Sequence, residues 1–76
     1  MNHKQIVYSI ISSLLASQGH ENVEITDESP IHGKGLEFDS LTTATFSAML
    51  ENALGKDPYT AHQYPPTVGD VLRFYQ

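Results

Sequence analysis

Apolar residues recur at spacings of three and four between residues 4 and 17. This spacing places them on one face of a helix, so the pattern predicts an amphipathic helix. Gly19 follows and is suited to end the helix in a left-handed conformation. The apolar stripe consists of Ile6, Val7, Ile10, Ile11, Leu14 and Leu15. We assign the stripe to the core rather than to a partner surface, because a small domain has few apolar residues to spare.

Residues 20–38 predict a long irregular connection. Turn-forming residues cluster at 26–30 and at 33–35, where Gly, Pro, Asp and Ser favour chain reversals. The apolar residues scattered through the segment are Val23, Ile25, Ile31, Leu36 and Phe38. Loops of this length are usually functional or disordered. The apolar anchors favour an ordered loop that packs on the helices.

Residues 40–54 predict a second helix. Asp39 is a suitable N-cap, because its carboxylate can accept hydrogen bonds from the first backbone amides, and Gly55 is the stop signal. The predicted core face consists of Phe46, Leu50, Ala53 and Leu54, and Met49 lies beside it. A second face consists of Leu41, Thr45, Ala48 and Asn52. This helix therefore has one face for the core and one for other uses.

The remaining residues predict two further short elements. Asp57-Pro58-Tyr59 can begin a turn or a short helix, which Pro65-Pro66 must end. Thr67 to Asp70 forms a capping box, with Asp in place of the usual Glu, at the start of a terminal helix. The fold class that we predict is all-α: a small four-helix bundle of three longer helices and one short helix, with a long loop between the first two helices. It forms a single domain over residues 1–76.

Composition excludes several classes of function. The chain has 76 residues, a net charge of −5 and no cysteine, so no disulfide framework or zinc ribbon is available. Nucleic acid binding needs a cationic surface that neutralises phosphates, and four Lys and Arg residues provide little of it. The first helix carries too many polar residues to span a bilayer. We expect a cytoplasmic monomer that binds neither nucleic acid nor membrane.

The sequence carries no pattern typical of an enzyme or a metal site. The histidines, His3, His20, His32 and His62, have no spacing typical of ligands. The chain is too small for a deep pocket and shows no arrangement of nucleophile, base and orienting group. We therefore expect no metal, no catalytic residue and no enzymatic activity.

The triplet Asp39-Ser40-Leu41, after a long loop and at the start of a predicted helix, resembles the acyl carrier proteins. Most members of that family carry Gly-x-Asp-Ser-Leu at the start of the second helix. Here Gly35 stands earlier, and the nearest match is residues 36–41, Leu-Glu-Phe-Asp-Ser-Leu. The resemblance extends to the end of the second helix at Leu54-Gly55 and to the terminal helix at 67–72, so it covers the whole chain.

The resemblance implies a prosthetic group and a set of partners. Ser40 would receive 4′-phosphopantetheine from coenzyme A on a phosphopantetheinyl transferase that uses magnesium. Asp39 matches the residue that supports the transfer, and Leu41 matches a residue that contacts partner enzymes and the arm. The thiol of the arm would carry an acyl or aminoacyl group as a thioester. The other partners would be a loading ligase and downstream synthase or transferase enzymes.

This sequence departs from the family's pattern in two ways that bear on partners and cargo. The partner-binding residues that we predict are Glu37, Leu41, Thr45, Ala48 and Glu51, a surface with fewer acids than carriers of fatty acid synthesis usually have. We therefore expect a specialised polyketide, fatty-acid-like or aminoacyl pathway. Phe46 and Leu50 match the residues that line a cargo pocket, but carriers of long acyl chains often have a smaller aliphatic residue at the position of Phe46. The Phe46 ring either fills that space and keeps a small or polar cargo outside the bundle, or it is simply part of the core.

The alternative function is an unmodified helical module for protein–protein interaction. Such a module would dock through Leu41 and Ala48 and would take up no prosthetic group. Ser40 would then be only a residue of the helix N-terminus, where serine is common. The substitution Ser40→Ala separates the two hypotheses, because it inactivates a carrier and leaves a docking module almost unchanged.

Overall fold

The computed structural model describes residues 2–20 and 22–76. These residues contain three helices: α1 (His3–Ser17), α2 (Ser40–Leu54) and α3 (Val68–Phe74). The chain is about 50% helical. The described residues form no strand, only an isolated antiparallel bridge between Pro30 and Thr67. In this part of the chain, every helix is too short or too polar to cross a bilayer.

The predicted four-helix bundle is wrong, because residues 58–62 form turns and α3 has only seven residues. The Asp57 side chain accepts hydrogen bonds from the amides of Tyr59 and Thr60, as an N-cap would. The next amides do not continue a helix: His62 donates to the Tyr59 carbonyl at 3.0 Å and Gln63 to the Pro58 carbonyl at 2.8 Å. His62 has a φ of +62°, which turns the chain away from the helical path.

Helix α1 confirms its predicted stripe. Val7, Ile10, Ile11, Leu14 and Leu15 are buried, and Ile6 packs against them. The Asn2 side chain caps the helix by accepting a hydrogen bond from the Gln5 amide at 2.9 Å. Beyond the C-terminus of α1, Gly19 is left-handed as predicted, and so is Gly55 directly after α2.

The connection between α1 and α2 is held on the core by its apolar residues, as predicted. Ile31, Leu36 and Phe38 are buried, and Val23 and Ile25 pack partly against the core. Gly35 permits a close approach of two chain segments, because a Cβ there would lie 2.3 Å from the Pro30 carbonyl oxygen. The Leu36 amide donates to that oxygen at 2.8 Å, so the segment folds back on itself.

The same connection provides hydrogen-bond acceptors for the first backbone amides of α3. The amides of Val68 and Gly69, which have no partner within the helix, donate to the Ser29 and Asp27 carbonyls at 3.0 and 2.7 Å. The Thr67 hydroxyl oxygen accepts a hydrogen bond from the Asp70 amide at 3.2 Å, and its proton is donated to the Asp70 carboxylate at 2.8 Å. Thr67 is therefore the predicted N-cap, but the Asp70 carboxylate accepts from the Thr67 hydroxyl group and not from the Thr67 amide, as a capping box would require.

Helix α2 contributes an aromatic centre to the core. Phe46 is 0% exposed and packs edge-on against Phe38 and Tyr59, with ring centroids 5.5 and 6.1 Å apart. Leu50 is buried beside it. The prediction that Ala53 lies on the core face is wrong, because Ala53 is exposed near the C-terminus of the helix, beyond the buried positions.

Candidate functional site

Ser40 is the first residue of α2, and it is exposed. Asp39 immediately precedes it as the N-cap, and one Asp39 carboxylate oxygen accepts a hydrogen bond from the Thr42 amide at 2.8 Å. This hydrogen bond holds the pKa of the Asp39 carboxyl below its usual value. Asp39 therefore fixes the first turn of α2 and leaves the Ser40 hydroxyl open to solvent.

Glu37 adopts a backbone conformation that favours glycine. Its φ is +58°, in the left-handed region, which costs a residue with a Cβ about 1–2 kcal/mol. Glu37 lies two residues before Asp39, where the Gly-x-Asp-Ser-Leu motif has its glycine. From the sequence, we noted only that Gly35 stands earlier than the glycine of the motif. The spacing to Asp39 could have shown that position 37 must turn in this way.

A groove of about 620 Å³ begins at Ser40, and we call it the Ser40 groove. On one side it is lined by a stripe of small residues along α2: Ser40, Thr43, Ala44 and Ser47. Their spacing of three, four and seven from Ser40 places them on one helix face. Our sequence reasoning missed this stripe. A run of hydroxyl and methyl side chains at helical spacing was the available signal.

The other side of the Ser40 groove comes from the turns after α2 and from the α1–α2 connection. Tyr59, Thr60 and Tyr64 line it, together with His32. The two tyrosine rings lie 6.2 Å apart between centroids, and Tyr64 is 70% exposed. His32 Nδ1 lies 2.7 Å from the Phe38 carbonyl oxygen. The fold therefore brings His32 to the groove that begins at Ser40, although the two residues are apart in sequence.

Asp57 links the two sides of the groove from the interior. It is 2% exposed, and its carboxylate accepts hydrogen bonds from the Ser47 hydroxyl at 2.5 Å and from the Thr60 hydroxyl at 2.7 Å. The Tyr59 and Thr60 amides each donate to it at 3.1 Å. Burial by itself raises the pKa of Asp57, but these hydrogen bonds outweigh burial, so the pKa lies below its usual value.

The residues predicted to bind partners are all exposed: Glu37, Leu41, Thr45, Ala48 and Glu51. Leu41 is 77% exposed, so its apolar side chain is available for contact on this surface. It shares a face of α2 with Thr45 and Ala48, beside the face that lines the groove.

Phe46 and Leu50, predicted to line a cargo pocket, are fully buried in the core. Neither side chain lines the Ser40 groove. The histidines do not meet in a metal site either: within residues 2–20 and 22–76, no three His, Cys, Asp or Glu side chains are arranged to hold a metal ion. The Ser40 groove combines the exposed residue Ser40 with a volume of about 620 Å³.

Comparisons with protein-family models, with curated proteins and with solved structures found no significant match to this chain. Any functional assignment consequently depends on the residues around Ser40 and on the resemblance of residues 36–41 to the acyl carrier motif.

Proposed function

We propose that this protein is a carrier that holds an acyl or aminoacyl group as a thioester on a 4′-phosphopantetheine arm attached to Ser40. The observation that carries the proposal is the exposed Ser40 hydroxyl at the N-terminus of α2, directly after its cap Asp39. In the attachment reaction, Ser40 Oγ loses its proton and forms a bond to phosphorus. The bond from that phosphorus to adenosine 3′,5′-bisphosphate breaks, and the bisphosphate leaves.

The residues around Ser40 fit a phosphodiester. The amides of a first helical turn point toward the N-terminus, and the helix dipole is positive there, so both favour an anion. The Asp39 carboxylate accepts a hydrogen bond from the Thr42 amide, and this bond offsets part of the negative charge of the carboxylate. The left-handed Glu37 supports the proposal independently, because the family's motif has glycine at this position. When bound, the arm would supply the thiol that carries the cargo.

The partners in this proposal are a phosphopantetheinyl transferase, a loading ligase, and synthase or transferase enzymes that take the cargo. They would approach α2 from the exposed face that contains Leu41, Thr45 and Ala48, with Glu37 and Glu51 at its margins. This face has few charges, so we expect docking to depend more on apolar contact than on long-range electrostatic steering. A specialised pathway with dedicated enzymes suits such a surface.

The test is the intact mass of the protein after incubation with coenzyme A, magnesium and a broad-specificity phosphopantetheinyl transferase. Wild type should gain one phosphopantetheine, and Ser40→Ala should gain none. Ser12→Ala, at an exposed serine of α1, is the matched control and should be modified like wild type. If folded wild type gains no mass, the carrier hypothesis is wrong, and the unmodified docking module becomes the better account of the exposed Leu41.

A further inference from the structure

Ser47 on α2 and Thr60 in the turns after α2 both line the Ser40 groove, and both donate their hydroxyl protons to Asp57. Ser47 Oγ donates to one carboxylate oxygen at 2.5 Å, and Thr60 Oγ1 donates to the other at 2.7 Å. A hydroxyl group has one proton, so each of these oxygens can offer only lone pairs to another molecule. The two sides of the groove therefore present hydrogen-bond acceptors whose direction is fixed by a buried carboxylate.

The negative charge of Asp57 strengthens the preference of the groove for an occupant that donates hydrogen bonds. Among the described residues, no Lys, Arg or His lies within ion-pair distance of Asp57. The residues that line the groove include no Lys or Arg. A buried negative charge favours a positive group nearby. The faces of Tyr59 and Tyr64 also attract cations.

His32 supplies a third acceptor. The Phe38 carbonyl can only accept a hydrogen bond, so the contact at 2.7 Å requires the proton of the neutral ring to be on Nδ1. The Nε2 atom of that ring then carries a lone pair. The acceptors of the groove thus come from α2, from the turns after it and from the α1–α2 connection.

Two further hydroxyl groups of the groove-lining residues have no partner. Thr43 Oγ1 and the Tyr59 hydroxyl oxygen are buried, and neither makes a hydrogen bond within the described residues. A buried unpaired hydroxyl group destabilises the folded state. Rotation of either side chain toward the groove would allow it to donate to an occupant. An occupant that carries an amine next to a carbonyl would satisfy both kinds of group.

We infer that the Ser40 groove holds an amine-bearing acyl group, so that the cargo of the carrier is an aminoacyl thioester. This inference rests on the proposed function, because cargo reaches the groove only from an arm on Ser40. The ammonium group would donate to Ser47 and Thr60, and the carbonyl would accept from Thr43 or Tyr59. An alkyl group would leave these acceptors without donors. A carboxylate would be repelled by Asp57.

The experiment compares two cargoes of nearly the same shape, alanyl and isobutyryl, which differ by an ammonium in place of a methyl group. Each is linked to the arm by an amide in place of the thioester, so that it is not lost during measurement. A transferase attaches each arm to Ser40 from the corresponding coenzyme A analogue, and intact mass confirms loading. The ¹H–¹⁵N spectrum then reports the amides of Ser47, Tyr59 and Thr60.

The alanyl arm should shift these three amides relative to the arm without cargo, and the isobutyryl arm should not. The groove-bound population should be at least about tenfold larger with the alanyl cargo, because one of the two hydrogen bonds from the ammonium group is sufficient for that ratio. Ser47→Ala should abolish the difference. Ser12→Ala, at an exposed serine of α1 that has no part in the groove or in the partner-binding face, should preserve it.

Equal shifts with both cargoes would overturn the inference and leave the proposed function standing. The same shifts from the arm without cargo would overturn it too, because the groove would then hold the arm itself. Failure to load any arm would be visible in the mass alone, and it would reject the proposed function together with the inference. The comparison of cargoes on wild type needs no variant, so misfolding of Ser47→Ala cannot hide the result.

Discussion

The substitution Asp57→Asn tests how this domain stabilises a buried carboxylate. Asp57 accepts four hydrogen bonds at 2.5–3.1 Å. Hydrogen bonds to a charged group stabilise by about 1.5–3 kcal/mol each, and neutral ones by about 1 kcal/mol. Asparagine keeps the shape, removes the charge and turns one acceptor into a donor that faces the donors of Ser47, Tyr59 or Thr60. We expect the free energy of unfolding to fall by about 3 kcal/mol.

Urea unfolding followed by circular dichroism at neutral pH measures this change. Glu24→Gln is the matched control, because it removes the charge of an exposed carboxylate and should change the free energy of unfolding by less than about 0.5 kcal/mol. If Asp57→Asn unfolds at the same urea concentration as the control, the hydrogen bonds to Asp57 contribute nothing to the fold, and our account of the groove is wrong.

The pH dependence provides a second reading of the same substitution. The pKa of folded Asp57 lies below the ordinary value of 3.8. The charged form therefore stabilises the fold at any pH above that ordinary value, and the stabilisation is lost as the pH falls through the folded pKa. The difference in free energy between wild type and Asp57→Asn should be constant near neutral pH and shrink below about pH 4. A difference that persists unchanged in acid would contradict the depressed pKa of Asp57.

Three further substitutions test the fold around the site. Glu37→Gly removes the Cβ from the left-handed residue and should raise the free energy of unfolding by about 0.5–1 kcal/mol, measured by thermal unfolding. Glu37→Ala keeps the Cβ and should not raise it. Equal effects of the two substitutions would exclude backbone strain at this position. Thr67→Ala removes the cap of α3 and should lower the free energy of unfolding by about 1 kcal/mol, measured by urea unfolding. Thr67→Ser keeps the hydroxyl group and should be close to wild type. Phe46→Leu leaves a space at a fully buried ring and should cost about 1–3 kcal/mol by calorimetry; no loss would mean that the ring is not tightly packed.

The sequence predicts α1 and α2 well because both helices carry two independent signals. A stripe of apolar residues recurs at helical spacing, and capping residues stand at the ends, so packing and local hydrogen bonding agree on the same boundaries. The prediction of a helix after Asp57 fails because an N-cap signal is local. Asp57 does accept the amides of Tyr59 and Thr60, yet a helix also needs the following amides to bond in register, and the left-handed His62 prevents this.

The Ser40 groove is harder to predict than the position of Ser40. The stripe on α2 is made of serine, threonine and alanine, so no apolar period marks it. Its other side comes from Tyr59, Thr60 and Tyr64, more than ten residues later. The hydrogen bond that Ser47 donates to Asp57 joins the two sides of the groove, and it exists only once the turns pack against α2. That information belongs to tertiary structure.

The backbone hydrogen bonds between the start of α3 and the α1–α2 connection determine which parts of the protein unfold together. A helix of seven residues is too short to be stable alone. The amides of Val68 and Gly69 donate to the connection, and the Ile31 amide donates back to the Pro66 carbonyl at 2.9 Å. These three amides should therefore show one common free energy of opening in deuterium exchange, after correction for the intrinsic exchange rate of each residue, as parts of a single cooperative unit. Opening of that unit would release the terminal helix and the long connection together, while α1 and α2 keep their own protection.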